Sequence, residues 1–268
     1  MMSPAGKQLS INRVLVALDT SRRDNHTLDT AARLAALRNV ELLTLFIEDQ
    51  DLLHLAELPF ASEIERASGT ERKLDSLQMA RAMRTEVQRL SRHLETITSQ
   101  LRLRYSMRVV RGSYMVEAMA AAMETDILFL NRSVGKYRRH SLARRTTLFR
   151  RSTEYAAPAG TIWTWYQSTP GSEAALAVAA ELAAEGNKRL VLLQRKGTPE
   201  PDANIQELIR QRRIDYSIRS GMDPGGLAEV LQGGRDSLLV VHAADLSDED
   251  QLTTASLENL GYPVAVVF

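Results

Sequence analysis

Eight basic side chains with no acid among them, Arg132, Lys136, Arg138, Arg139, Arg144, Arg145, Arg150 and Arg151, follow the apolar run 127–130. A short buried strand feeding a polar loop is where open α/β sheets place their ligands, so this loop is the first candidate site. Arginine grips phosphate bidentately, which gives Arg138, Arg139, Arg144 and Arg145 the means to hold an anion by side chain. The alternative is an electrostatic surface for RNA, DNA or an acidic protein, with affinity that falls as salt releases counterions. Set against both is a solvated interdomain loop, because charge runs are usually such faces. Tyr137 and Phe149 are too sparse for base stacking.

A second candidate is Asp19, which closes the apolar run 13–18 and is followed by Thr20 and Ser21. A carboxylate there either contacts a ligand or caps the next helix or loop, as Asp-Thr-Ser sequences commonly do. The 5 histidines, His26, His54, His93, His140 and His242, form no i, i+4 pair, so no metal centre is expected. Glu48, Asp49 and Asp51 precede His54 and read as a solvated acidic face. Ser21, Ser133 and Ser141 have no visible base, and the nucleophile-elbow pattern is missing. No catalytic constellation emerges, and the expectation is a protein that is not an enzyme. Trp163 and Trp165 alternate with threonine, so both point to one face of a sheet, as core or interface.

The elements that position these residues follow from periodicity. Residues 13–18 read as a buried parallel strand, 25–37 as a helix with Leu28, Ala31, Ala32, Leu34 and Ala35 on one stripe, and 40–47 as a strand. That is a βαβ unit with a right-handed crossover. Pro59 and Gly69 break residues 48–73 into an irregular insertion with one or two helical turns. Ala80, Met83, Val87, Leu90, Leu94, Ile97 and Leu101 then form the seam of a long helix expected to lie on the sheet. A strand at 105–110, a helix at 114–123 and a strand at 126–130 complete the first half. A helix over 147–155 is expected after the basic loop.

The chain then starts again. Residues 14–46 align with 162–194 without a gap, Leu28 meeting Leu176, Ala31 meeting Ala179 and Leu34 meeting Leu182. Tyr105-Ser106-Met107-Arg108 is echoed by Tyr216-Ser217-Ile218-Arg219, and Asp126-Ile127-Leu128 by Asp236-Ser237-Leu238. The second half lacks most of the insertion and the long helix, and closes with a short helix at 251–260 and a strand at 263–267. Two domains are expected, 1–157 with a helical insertion at 48–104, and 158–268. Whether the strand at 161–166 belongs to the first sheet, the second or both is left open.

Composition agrees with this reading. The 268 residues are 44% apolar and 25% charged, with a formal net charge of +1 that implies no general affinity for nucleic acid or membrane. With 0 cysteines, disulfides and thiolate chemistry are excluded. No apolar run approaches the roughly 20 residues that span a bilayer, and the expected location is the cytoplasm.

The strand ending VALDTS at Asp19, the helix ending AARLA, the βαβ spacing and the closing YPVAVV together resemble the universal stress proteins, as a tandem pair. The resemblance implies an α/β fold of two Rossmann-like, doubly wound domains of the adenine nucleotide alpha hydrolase-like type. Each would hold a five-stranded parallel sheet, the second domain being reduced, with dimer-like packing of the two copies. No G-x-G-x-x-G follows the first strand, which separates the pattern from dinucleotide-binding folds. ATP-binding members carry an aspartate after strand one, as Asp19 here, and a glycine loop after strand four. That loop fails in this chain: Gly135 is one place late, and Arg138 and Leu148 stand where glycines belong. Glycine serves there by letting backbone N–H groups approach phosphate, which arginine does not imitate. In the second half Gln167 replaces the aspartate, and the loop 242–250 carries four acids and no glycine.

The implied role is a binding or regulatory one in the stress response, with no cofactor required. A remnant cleft near Asp19, Thr20, Gly112, Asn131 and Gly135 would offer ATP or AMP a place, with Arg138, Arg139, Arg144 and Arg145 beside it. Implied partners are the second copy itself, a homodimer and an unidentified protein, but no membrane. The competing readings are a nucleotide sensor built on arginines and an adaptor for an acidic protein or nucleic acid through 132–151. ATP hydrolysis has the least support, since no residue is placed to orient water.

Overall fold

A computed structural model describes residues 11–19, 25–58, 60–64, 69–73, 75–122, 126–131, 160–223, 226–231, 237–246, 252–253, 257, 260 and 262–268. The chain divides into two compact units, Met1–Asn131 and Arg132–Phe268.

In the first unit, strand β1 (Arg13–Leu18) leads through helix α1 (His26–Arg38) to strand β2 (Glu41–Asp49). Val14, Leu15, Val16 and Ala17 are completely buried, as a central strand covered on both faces requires. Helix α1 buries the predicted stripe of Leu28, Ala31, Ala32, Leu34 and Ala35. The insertion holds helix α2 (Gln50–Glu57) and an antiparallel hairpin of β3 (Ser62–Ile64) and β4 (Glu71–Lys73), which the irregular polar sequence does not announce. Helix α3 (Ser76–Leu101) is capped by the Asp75 carboxylate, which accepts from Leu77 N–H at 2.9 Å. Its buried line is Met83, Leu90, Leu94 and Thr98. That line meets helices α1 and α2, where contact with the sheet was expected. His93 Nε2 lies 2.6 Å from the Asp29 carboxylate, and Arg89 donates to Asn25 Oδ1 at 2.9 Å, so α3 is tied along α1.

Strand β5 (Tyr105–Gly112), helix α4 (Tyr114–Ala121) and strand β6 (Ile127–Leu130) complete the unit. Apart from the β3–β4 hairpin, its strands are parallel in the order β5-β2-β1-β6. At the amino ends of β1 and β6, Arg13 pairs with the buried Asp126 carboxylate at 2.6 Å and donates to the Ala121 carbonyl at 2.7 Å.

The second unit runs through β7 (Thr161–Tyr166), α5 (Pro170–Glu185), β8 (Arg189–Gln194), α6 (Ala203–Gln211), β9 (Tyr216–Ser220), α7 (Leu227–Val230), β10 (Leu238–His242) and β11 (Val264–Val267). Its strands are parallel in the order β9-β8-β7-β10-β11. The strand at 161–166 is therefore central among the strands of the second unit, flanked by β8 and β10. The resemblance implies five strands in each domain; among the described residues the second unit has all of them and the first has four. Trp163 and Trp165 are both in the core, and the Arg219 guanidinium sits 5.3 Å from the centre of the Trp163 ring.

The sequence repeat extends to the backbone. Asn39 (φ 54°) and Asn187 (φ 47°) end the first helix of each unit in the left-handed region. In each, the next N–H reaches back into the helix, Val40 to the Ala35 carbonyl at 3.0 Å and Lys188 to Ala183 at 2.8 Å. Arg102 (φ 51°) and Arg213 (φ 53°) repeat the device at the ends of α3 and α6.

Candidate functional site

In a doubly wound sheet, the crevice lies outside the carboxyl ends of the two strands where the winding reverses. In the first unit these are β1 and β6, whose register ends at Ala17 opposite Leu130. Asp19 follows β1 and Asn131 follows β6, so the register brings these two predicted residues to the same edge. Both are buried, at 4% and 2% exposure. Asp19 is engaged in polar contact. The Asn131 side-chain carbonyl oxygen is buried and accepts no hydrogen bond among the described residues.

Tyr114, the first residue of α4, fastens this edge. Its phenol donates to the Ala17 carbonyl at 2.8 Å and accepts from the Asn131 main-chain N–H at 3.0 Å. The ring is 1% exposed, and the hydroxyl carries the link between β1 and β6 past the last residues of their ladder. From sequence, Tyr114 is only the start of a helix; its role depends on two groups far along the chain.

Gly112 ends β5 opposite Asp49, with β2 between it and β1. A Cβ at Gly112 would lie 2.8 Å from Glu117 Cγ and 2.9 Å from its Cδ. Any side chain here would have to displace the flexible Glu117 carboxylate of α4. Asp49, read from sequence as part of a solvated acidic face, is the buried last residue of β2. Its neighbour Glu48 accepts from Arg111 at 2.9 Å. Among the described residues no cluster of three metal-ligating side chains occurs. Thr20, Gly135, Arg138, Arg139, Arg144 and Arg145 lie outside the described residues, as do the expected helices at 147–155 and most of 251–260.

The equivalent edge of the second unit, between β7 and β10, is occupied by side chains. Thr169 caps α5 in a reciprocal box with Ser172, each accepting from the other's main-chain N–H, at 3.0 and 2.9 Å. The Thr169 hydroxyl also reaches the buried Asp245 carboxylate at 3.3 Å. His242, the last residue of β10, lays its ring on the backbone of Gly171: a Cβ there would fall 2.7 Å from Cε1 and 2.8 Å from Cγ. His242 Nδ1 accepts from Ala244 N–H at 3.1 Å, which places the ring proton on Nε2. Burial lowers the imidazole pKa below its ordinary value. Asp245 belongs to the four acids of loop 242–250, and it is tucked under the helix start.

A doubly wound α/β protein whose first unit brings a buried acid and a buried amide to one sheet edge is the class these features define. No protein-family model matches the chain, and no curated protein matches its sequence. Its structure is similar to that of a universal stress protein from Archaeoglobus fulgidus DSM 4304, at 12% identity, covering 95% of this chain and 95% of that one with a TM-score of 0.46. It is also similar to a protein of the universal stress protein family from Burkholderia pseudomallei, at 14% identity, covering 80% of this chain and 98% of that one with a TM-score of 0.26. Both likenesses are distant. Among the described residues no helix is long and apolar enough to cross a membrane.

Proposed function

We propose that this chain is a non-enzymatic binding protein of the universal stress protein type, acting in the stress response by holding a ligand at the β1–β6 edge of its first unit. The second unit serves as framework. The observation that carries this reading is the buried, unpaired Asn131 carbonyl beside Asp19. Leaving such a group unsatisfied costs about 1–3 kcal/mol, which a ligand N–H returns. At the same edge of the second unit, His242, Thr169 and Asp245 use the space themselves.

The ligand this edge suits presents hydrogen-bond donors to Asn131 and Asp19, with no glycine loop for a triphosphate. Calorimetry with adenosine and with ATP·Mg²⁺ tests both parts. The expected result is that ATP binds no tighter than adenosine and that Asn131→Leu abolishes either heat. ATP binding stronger than adenosine by about tenfold, worth about 1.4 kcal/mol, and lost in Asp19→Ala, overturns the claim that phosphate recognition is gone.

A further inference from the structure

We propose that the outer edge of β5 is a docking strand for an extended segment of another protein whose side chains alternate between acidic and apolar. In the sheet order β5 is terminal and pairs with β2. The Leu42 N–H bonds the Arg104 carbonyl at 3.0 Å. In a parallel ladder this sets the alternation: 104, 106, 108 and 110 turn their backbone groups toward β2, and Tyr105, Met107, Val109 and Arg111 turn theirs outward. Among the described residues nothing pairs with this outer row, so an incoming strand finds donors and acceptors along it. Edges of this length are pairing templates unless they are covered or bent.

The pleat gives the two faces of β5 different chemistry. On the face shared with Ala17 and α4 stand Arg104 and Arg108, both exposed and with no ion pair among the described residues. Glu41, the acid beside them on β2, is held by the Ser106 hydroxyl at 2.8 Å. On the opposite face Tyr105 is 42% and Val109 48% exposed, with Met107 between them. Arg111, at the far end, is satisfied by Glu48. No acid occurs anywhere from 101 to 112. Arginines alone would guard an edge against pairing, but a guarded edge has no reason to show tyrosine and valine to water. The pattern fits a partner strand with carboxylates toward Arg104 and Arg108 and β-branched residues toward Tyr105 and Val109.

A second copy of this chain is a poor occupant, since edge-to-edge pairing would bring two sets of arginines together. The matching strand of the second unit is shorter, and its Arg219 is spent on Trp163.

The test uses the full chain and a capped, fluorescein-labelled peptide of alternating valine and glutamate, read by anisotropy. Saturable binding that weakens with salt is expected, reduced at least about tenfold in the Arg104→Glu/Arg108→Glu variant, about 1.4 kcal/mol. Hydrogen exchange provides a backbone readout: the amides of Tyr105, Met107, Val109 and Arg111 should slow on binding, while those of Ser106, Arg108 and Val110 are slow already. Tyr105→Ser/Val109→Thr, which leaves the charges intact, should weaken binding as well. Equal binding of a proline-interrupted acidic peptide, or unchanged affinity in the charge-reversal variant, overturns strand addition. So does a dimer by light scattering whose formation protects the same four amides.

Discussion

The two units place four corresponding strands in the same order and the same left-handed residues at their helix ends, yet they finish the carboxyl edge of the central pair in opposite ways. Over the first strand, the first unit has Leu15 and Ala17 where the second has Trp163 and Trp165. The small Ala17 belongs with an aromatic delivered from the helix, Tyr114; at the offset of the Tyr105 and Tyr216 echo the sequence of the second half has Gly225. One unit brings its bulk on α4 and uses the hydroxyl to span two strands. The other builds the bulk into the strand and closes its crevice with His242. Architecture is therefore held by backbone and apolar pattern, while a handful of side chains decide how the edge is finished.

The largest expected effect comes from exchanging that bulk. Trp165→Ala gives the second unit the residue of the first without a Tyr114 to compensate, and should cost about 3–5 kcal/mol in denaturant unfolding. A loss below about 1 kcal/mol would mean that the two units do not fill their centres differently.

Protonating His242 should have a smaller effect, confined to the second unit. Its folded pKa is depressed by burial, so the neutral ring contributes stability above the ordinary value near 6.5, lost as pH falls through the folded value. The melting temperature should drop between about pH 7 and pH 5 more in the natural chain than in His242→Asn. Equal drops would show that the filled edge does not depend on a neutral imidazole.

Smallest and most symmetrical should be Arg102→Gly and Arg213→Gly. Each removes a side chain from the left-handed region, and each should raise stability by up to about 1 kcal/mol, measured as a shift in the urea midpoint. Unequal signs would break the parallel between the ends of α3 and α6.

Much of this frame was readable from sequence because it is written in short-range pattern. Buried runs such as 13–18 and alanine stripes such as that of α1 need only the helix and strand periods to be recognised, and the ungapped repeat sets the elements of one half against those of the other. Boundaries slipped where charge masked a strand: β2 continues through Glu48 and Asp49 because Arg111 on β5 answers Glu48. The β3–β4 hairpin was hidden because its strands are brief and polar, with no apolar alternation to mark them. The strand ends that carry Asp19 and Asn131 are legible from the sequence, but the unpaired Asn131 oxygen, the Tyr114 link and the His242 ring over Gly171 all rest on pairings between distant residues, which no local pattern encodes.

The Tyr114 phenol also acts as a gauge. Since one oxygen touches both the Ala17 carbonyl and the Asn131 amide, the carboxyl ends of β1 and β6 are held at a set spacing. A ligand bound there, as we propose, would meet a fixed calliper and spend little of its affinity on ordering the protein, so selection would fall on shape before strength.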